Sequence, residues 1–497
     1  MRNTVHLVTY VDRLGGGGIA QLHKVLRGPL QGLFEGVHLL PFFDPIDGAD
    51  AGFDPIDHSQ VDARLGSWED VRDLAVEVQV MADLIVNHIS SRSPQFRQFL
   101  TEGPGSRHRG LFLTAERVFP QGPSEADLKA IYRPRPGAPF TRYVFENGEE
   151  RLLWTTFTPD QIDIDVLDPQ GKEYLDNILA TFARNRIESV RMDAIGYAIK
   201  RAGTSCFLLP ETIDFITAMA ERAHALGIDT LVEVHTFYRR QVELASRVSW
   251  VYDFALPPLV LHAFAFRTAK YLTDWIRIRP TNAVTVLDTH DGIGILDIGP
   301  DRTEERTPGL VPSDELDRLV DWIHSNSKGQ SRRATGAAAS NLDLYQVNCT
   351  FYDAMGRDNC SYLLARAVQF FLPGVPQVYY VGLLAGENDM ALLAKTGVGR
   401  DINRHHFSIE EVAQAIEKPV VKDLMKLIRL RNSHPAFAGD FRLESASDQM
   451  LSLRWDLGLH FAHLQVWFDG CRYQLEYSED EAVEKLVFAS ALQARGA

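Results

Sequence analysis

Eight short apolar runs, most of them rich in β-branched residues, constrain the fold of this chain more than any other feature. Helical patterns lie between most of them, for example GKEYLDNILATFARN (171–185). Buried strands joined by crossover helices predict an α/β fold, a parallel (β/α)₈ barrel of the TIM type. The runs are VHLVTY (5–10), GVHLLPF (36–42), MADLIVNH (81–88), IESVRMDA (187–194), TLVEVH (230–235), WVYDFALP (250–257), AVTVLDTHD (283–291) and GVPQVYYVG (374–382).

Two intervals between these runs are too long for a simple crossover. They follow the third and seventh strands, and the first is rich in Pro and Gly. We expect each to form an inserted subdomain on the carboxyl-terminal face of the barrel, where active sites of this fold form. After about residue 436 short β runs predict a small all-β domain. The expected boundaries are 1–86, 168–291 and 356–435 for the barrel, 87–167 and 292–355 for the insertions, and 436–497 for the last domain.

Charge and composition narrow the class of partner. A net charge of −15 and a pI near 5.5 argue against nucleic acid or an anionic membrane. The amino terminus lacks the apolar core of a signal peptide, and no apolar stretch is long enough to span a bilayer, so we expect a cytoplasmic location. The four cysteines show no metal-site or disulfide spacing and are expected to be buried free thiols: Cys206, Cys349, Cys360 and Cys471.

Four of the predicted strands end in charged or histidine side chains. Residues two apart on a strand face the same side, so Arg191 and Asp193 point together. Because four strand ends of this kind meet at one mouth of the barrel, a functional site explains them better than helix capping does. Three of the carboxylates suit glycosidic bond cleavage with retention, which needs a nucleophile and a general acid. The strand-end residues are Asp83, Asn87 and His88; Arg191 and Asp193; Glu233 and His235; and Asp288, His290 and Asp291.

The charges beside these carboxylates predict their ionisation. The guanidinium of Arg191 is expected to lower the pKa of Asp193 and favour the carboxylate that a nucleophile requires. Glu233 needs the opposite environment, one that raises its pKa so that it can donate a proton.

These motifs resemble the α-amylase superfamily, the glycoside hydrolases of family 13. DLIVNH, RMDAIG, EVH and LDTHD match its four characteristic regions in order and spacing. The resemblance is closest to the superfamily's disaccharide phosphorylases and extends to about residue 440. It rests on ADAGFDPIDH (49–58), IYRPRPG (131–137), YDFALPPL (252–259), LDTHDGIG (287–294), ATGAAASNLDLYQVN (334–348), AVQFFLPGVPQVYYVG (367–382) and GRDINRH (399–405).

The resemblance implies a role for each site residue. Asp193 would be the nucleophile, Glu233 the general acid/base and Asp291 a third carboxylate that stabilises the transition state. Arg400 and Asp50 are expected to pair and close the pocket floor. The glucose pocket would be lined by Asp50, Phe53, His88, Tyr197, His290 and Arg400, with Tyr132 and Arg191 also contacting substrate. The acceptor side would comprise Pro134, Arg135, His235, Leu342, Asp343, Leu344, Tyr345 and Gln346.

The implied reaction is the reversible, retaining phosphorolysis of sucrose to glucose 1-phosphate and fructose through a covalent glucosyl intermediate, with transglucosylation as a side activity. Fructose and phosphate would alternate at the acceptor side through movement of the loop that contains GAAAS. No metal and no other cofactor is expected, and a homodimer is possible. The alternatives are a related phosphorylase for sucrose 6′-phosphate, glucosylglycerate or glucosylglycerol, a hydrolase, and a catalytically inactive sugar-binding protein.

Overall fold

Eight parallel strands form a closed barrel at the centre of the computed structural model, which describes residues 1–46, 50–133, 137–301, 307–337, 346–470, 472–479 and 482–494. Each strand pairs in parallel with its neighbours in chain order, and the first pairs with the last. The predicted barrel is therefore confirmed. Its strands are β1 (His6–Thr9), β2 (Gly36–Leu39), β3 (Gln79–Ile85), β4 (Ser189–Asp193), β5 (Asp229–Val232), β6 (Trp250–Asp253), β7 (Ala283–Thr285) and β8 (Val375–Tyr379).

The crossover segments between these strands contain helices. In α3, Pro169 occupies the first turn and the Asp168 side chain accepts from the Gln170 amide, so the chain starts the helix locally. Its apolar residues recur three and four positions apart and are buried. The helices are α1 (Ile19–Arg27), α2 (Trp68–Leu74), α3 (Pro169–Arg184), α4 (Pro210–Ala225), α5 (Tyr238–Ala245), α6 (Leu256–Phe266), α7 (Lys270–Ile278), α8 (Asn359–Phe371) and α9 (Pro419–Ser433).

Two long connections follow β3 and β7, as predicted. The first contains the helices Pro94–Glu102, Ala115–Val118 and Glu125–Ala130, and two antiparallel strand pairs. The second contains the helices Ser313–Asn326, Gln330–Ala337 and Phe351–Ala354, and a short pair between Ile293–Gly294 and Gln346–Val347. Both leave the barrel at the carboxyl ends of its strands. The residue boundaries assigned to these insertions remain predictions.

A five-stranded antiparallel sheet follows the barrel, in agreement with the expected all-β domain. Its second strand docks on α8, where the Trp455 indole donates to the Phe371 carbonyl at 2.8 Å. The strands are β9 (Asp440–Ser447), β10 (Met450–Leu457), β11 (His460–Trp467), β12 (Arg472–Glu479) and β13 (Ala482–Lys485), and a helix, Ala489–Ala494, comes last. Among the described residues, no helix combines the length and the apolar character that a membrane crossing requires.

The expectation about cysteines is confirmed for two positions and wrong for a third. Cys206 and Cys349 are free and buried. Cys360, on α8, is disulfide-bonded. A disulfide depends on the distance between two Cα atoms in space, and widely separated cysteines give no spacing signal in the sequence. Cys471 lies outside the described residues.

Candidate active site

A cavity of about 160 Å³, open to solvent, lies at the carboxyl ends of the barrel strands. It brings together side chains that the sequence places at the ends of β3, β4, β5 and β7, with others from the long connections. Such a position is where enzymes of this architecture bind their substrates. Its polar and aromatic lining residues include Asp50, Phe53, His88, Tyr132, Phe157, Asp193, Tyr197, Phe207, Glu233, His235, His290, Asp291, Asp297, Gln346 and Arg400.

Arg191 lies beneath the cavity and holds three carboxylates. Its side chain is 3% exposed, and Nη1 donates to Asp83 at 2.5 Å and to Asp193 at 2.8 Å. Its other terminal nitrogen, Nη2, lies 3.1 Å from Glu233 Oε1. A buried guanidinium is tolerated only when its charge is compensated. Arg191 therefore fixes Asp193 and Glu233 side by side through two nitrogens of one planar group.

Burial, rather than Arg191, dominates the ionisation of Asp193. Desolvation raises the pKa of this carboxyl well above its ordinary value; the guanidinium of Arg191 opposes the rise, and the charges of Glu233 and Asp83 add to it. Arg191 thus acts in the expected direction and lowers the pKa of Asp193, but burial and the two carboxylates outweigh it. The prediction considered only the adjacent cation. The fold also excludes water from Asp193 and places two other carboxylates, Glu233 and Asp83, near it.

A left-handed residue positions Glu233 next to the fourth strand. Ala194 has φ 54°, a conformation that is costly for a residue with a Cβ. In this turn its backbone N–H donates to Glu233 Oε2 at 3.2 Å. Glu233 is therefore held at one oxygen by Arg191 and at the other by this amide. Strained backbone is commonly retained where it orients a functional group.

Asp291 is a carboxylate surrounded by cations. Arg400 Nη1 lies 2.9 Å from its Oδ1, and Arg404 Nη2 lies 3.8 Å from the same atom. Burial would raise the pKa of Asp291, but the guanidinium groups of Arg400, Arg404 and Arg191 hold it far below its ordinary value. Burial also lowers the pKa of His290 to about 3, so this ring is neutral at pH 7 and the arginines provide the compensating charge.

Aromatic rings form one wall of the cavity. Phe53 stacks on His290 with ring centroids 4.8 Å apart and an interplanar angle of 10°, and the Arg191 guanidinium lies 5.4 Å from the Phe53 centroid. His88 Nε2 forms a hydrogen bond with the Phe53 carbonyl at 2.9 Å. On another side Tyr132 packs on Tyr197 and Phe207. These faces suit a sugar ring, whose C–H groups pack on aromatic surfaces while its hydroxyls need polar partners.

His235 provides a further positive group at the cavity. Its Nδ1 lies 2.9 Å from Asp297 Oδ2, and its ring stacks on Phe254 with centroids 3.8 Å apart. Burial alone would lower the pKa of His235, but Asp297, Glu233 and Asp291 raise it to about 9. The imidazole is therefore charged at neutral pH, unlike His290.

Three side chains of types that bind metal ions lie close together at this cavity. Ligand atoms of Glu233, His235 and Asp291 lie within 4.8 Å of one another. However, Arg191 and Arg400 already contact two of these carboxylates as cations. The absence of a metal and of other cofactors remains a prediction from the sequence.

The structure brings most of the predicted site residues to one cavity. Arg400 contacts Asp291 and also donates to Gln346 Oε1 at 3.4 Å, while Asp50 accepts from Gln161 at 3.3 Å. The expected pairing of Arg400 with Asp50 stays a prediction. Six residues of the predicted acceptor side lie outside the described residues: Pro134, Arg135, Leu342, Asp343, Leu344 and Tyr345.

Several residues at or beside the cavity were not predicted. Arg404 could have been found, because it belongs to GRDINRH, a stretch already singled out. Asp83 was noted at a strand end without its role as a partner of Arg191. Phe157, Phe207 and Asp297 carry no sequence signal, since each reaches the cavity from an irregular connection.

Comparison with known proteins agrees with this architecture. The model of the α-amylase catalytic domain matches residues 30–247. The chain is 57% identical to the sucrose phosphorylase of Agrobacterium vitis, covering 94% of this chain and 96% of that protein. It is 53% identical to the sucrose phosphorylase of Bifidobacterium adolescentis, with 92% and 90% covered.

A solved structure supports the same assignment. The crystal structure of sucrose 6F-phosphate phosphorylase from Thermoanaerobacter thermosaccharolyticum superposes with a TM-score of 0.89 at 36% identity, covering 98% of this chain and 99% of the other. Identity of this order over nearly whole chains exceeds what a shared barrel alone produces. The chain therefore belongs to the sucrose phosphorylase family, within the α-amylase superfamily.

Proposed function

We propose that this protein is a retaining sucrose phosphorylase that transfers a glucosyl group from sucrose to phosphate. The products are α-D-glucose 1-phosphate and fructose, and the reaction is reversible. The observation that carries the proposal is the placement of Asp193 and Glu233 on one guanidinium at the base of the cavity, in a chain so similar to curated sucrose phosphorylases.

The placement of these two carboxyls favours retention over inversion. Asp193 and Glu233 contact neighbouring nitrogens of the same guanidinium. Inverting enzymes keep their carboxyls roughly 6.5–9.5 Å apart to leave room for a water, whereas retaining enzymes keep them about 5–5.5 Å apart. Two groups that share one guanidinium suit the shorter separation.

The chemistry follows from these positions. Asp193 reacts as the carboxylate, the form that Arg191 favours. It attacks the anomeric carbon while Glu233 protonates the departing fructose oxygen, so the glycosidic bond breaks and a glucosyl ester forms. In the second half, Glu233 accepts a proton from phosphate as its oxygen displaces Asp193. Retained configuration results from two inversions. Hydroxyl groups of other acceptors can replace phosphate in this step, which would give transglucosylation.

The remaining cavity residues are assigned to binding. Asp291, kept anionic by Arg400 and Arg404, would stabilise the positive charge of the transition state and bind glucose hydroxyls. Phe53 would support the cationic ring. Polar groups suited to the glucose hydroxyls are those of Asp50, His88, His290 and Arg400.

The test is incubation of the purified protein with sucrose in the presence and absence of phosphate. Phosphate-dependent release of glucose 1-phosphate with equimolar fructose is expected. Free glucose at the same rate with or without phosphate would identify a hydrolase, and no product at all would identify a sugar-binding protein. Faster turnover of sucrose 6′-phosphate, glucosylglycerate or glucosylglycerol would assign a related phosphorylase instead.

Arg135, from the RPRP stretch, is proposed to supply positive charge to phosphate. Arg135→Ala is expected to raise the phosphate KM about 10–150-fold, because a charge-assisted hydrogen bond contributes roughly 1.5–3 kcal/mol. The sucrose KM should change little, and the product ratio should shift toward free glucose. A phosphate titration at fixed sucrose measures this ratio. A parallel fall of phosphorolysis and hydrolysis would make Arg135 a structural residue.

Other properties remain predictions from the sequence and the family resemblance. These are the cytoplasmic location, a possible homodimer, and movement of the loop that contains Leu342, Asp343, Leu344 and Tyr345 between a fructose-binding and a phosphate-binding state.

A further inference from the structure

Asp297 is a buried carboxylate that organises the loop after β5. It lies on the short helical turn Leu296–Ile298, and its side chain is 0% exposed. Its Oδ1 accepts from the Thr236 amide at 3.1 Å and from Gln241 Nε2 at 2.9 Å. Its Oδ2 faces His235 Nδ1 at 2.9 Å. The carboxylate therefore joins the connection after β7 to the segment that follows Glu233.

The charge of Asp297 is balanced by His235. Burying a carboxylate without a cation is costly, and His235 is its ion-pair partner among the described residues. The ring is also fixed by stacking on Phe254. With Nδ1 engaged by Asp297, Nε2 is the ring nitrogen left for the cavity, which His235 lines together with Glu233 and Asp291.

We propose that Asp297 is a positioning residue that keeps His235 as an imidazolium, with Nε2–H available to the acceptor in the cavity. An anionic acceptor such as phosphate then meets a fixed positive charge beside the catalytic carboxylates. The inference rests on the proposed function. It adds an explanation of how a cavity that contains several carboxylates can still bind an anion.

The charged groups facing His235 define the pH range in which this device works. They are Asp297 from the turn after β7, Glu233 from its own loop and Asp291 from the end of β7, while Phe254 contributes no charge. These carboxylates outweigh burial and raise the pKa of His235 to about 9. The charge should be complete at neutral pH and disappear as the pH rises through about 9.

Asp297→Asn removes the charge of this partner and keeps its shape. Two donors, the Thr236 amide and Gln241 Nε2, face one oxygen, so the new amide should keep its oxygen there and turn its NH₂ toward His235. A neutral imidazole accepting at Nδ1 carries its proton on Nε2. The variant should therefore lose the positive charge but retain a hydrogen-bond donor in the cavity.

The measurement is the phosphate KM and the ratio of glucose 1-phosphate to glucose between pH 5.5 and 9.5. At pH 7.5 the variant's phosphate KM should rise roughly 5–15-fold, the difference between a charged and a neutral hydrogen bond. Hydrolysis of sucrose, which uses a neutral acceptor, should change much less. The ratio of variant to parent KM cancels the titration of phosphate itself and should fall toward one as the pH rises through about 9, where the parent's His235 also loses its charge.

Asp253→Asn is the matched control. Asp253 is also fully buried, with two donors, the Leu256 amide and the Trp275 indole, on Oδ1 and the cation of Arg279 on Oδ2. It is not among the residues that line the cavity. Once equal folded fractions are verified by circular dichroism, this variant should keep the parent's product ratio.

A double-mutant cycle with His235→Gln separates positioning from general structure. Asp297→Asn should add no further loss of phosphate use in the His235→Gln background. Independent losses, or an unchanged phosphate KM and pH profile in folded Asp297→Asn, would overturn the proposal. If Asp297→Asn does not fold, the parent enzyme and His235→Gln provide the test. The ratio of their phosphate KM values should fall toward one as the pH rises through about 9. A ratio that does not change with pH would refute the role of His235 as a positive charge. An absence of phosphate-dependent turnover in the parent would instead refute the proposed function.

Discussion

Asp193→Asn is expected to abolish turnover of sucrose while leaving the protein folded. An amide cannot form the glycosyl ester, so both halves of the reaction stop. The variant should also be at least as thermally stable as the parent at pH 7. Burial raises the pKa of Asp193, so the ionised carboxylate costs stability above its unfolded pKa, and a neutral amide removes that cost.

Two measurements check this expectation. Initial rates of glucose 1-phosphate release give the activity, and thermal melts at pH 7 give the stability. More than a few per cent residual activity in a preparation free of parent enzyme would reject Asp193 as the nucleophile. A large drop in melting temperature would show instead that Arg191 depends on this carboxylate for its compensation, despite its contacts with Asp83 and Glu233.

Glu233→Gln is expected to lower the rate on sucrose by roughly 10²–10⁴-fold, the usual contribution of general acid–base catalysis. Glutamine has the shape of glutamate and keeps one oxygen, which can accept either from Arg191 or from the Ala194 amide. The loss should therefore reflect the missing proton rather than a displaced residue.

Glucosyl fluoride provides the comparison that isolates proton donation. Fluoride departs without protonation, so the first step on this substrate should be affected much less than the first step on sucrose. Pre-steady-state release of fluoride and of fructose measures the two steps directly. Equal losses on both substrates would contradict the assignment of Glu233 as the acid.

The barrel and the convergence of three carboxylates at one cavity were predictable because both depend on local order along the chain. Four of the apolar runs end in residues that line or support the cavity, as in VRMD before Ala194 and LDTHD just after β7. Parallel strands place all such ends at one mouth. The topology of the barrel therefore brings Asp193, Glu233 and Asp291 together, and this topology can be predicted from the sequence.

Contacts between irregular connections were not predictable in the same way. Asp297 reaches His235 from a turn in the connection after β7, and its sequence context, GILDIGP, has no periodicity that would indicate a buried ion pair. The disulfide at Cys360 was missed for a related reason, since proximity in space leaves no mark in the spacing of cysteines.

The sequence by itself determined the strand order, the end of the barrel at which the site forms and the residue types at that end. It could do so because hydrophobic periodicity and the residues at strand ends are local properties of the chain. Only the tertiary structure decided their protonation. Asp193 lies beside Arg191 in the sequence, yet burial and the charges of Glu233 and Asp83 raise its pKa. His235 is charged because Asp297 forms a hydrogen bond with its ring at 2.9 Å, whereas His290 is neutral because burial outweighs the attraction of Asp291 at 3.7 Å. Desolvation and charge act through space, and the distances between the groups are fixed only when the chain has folded.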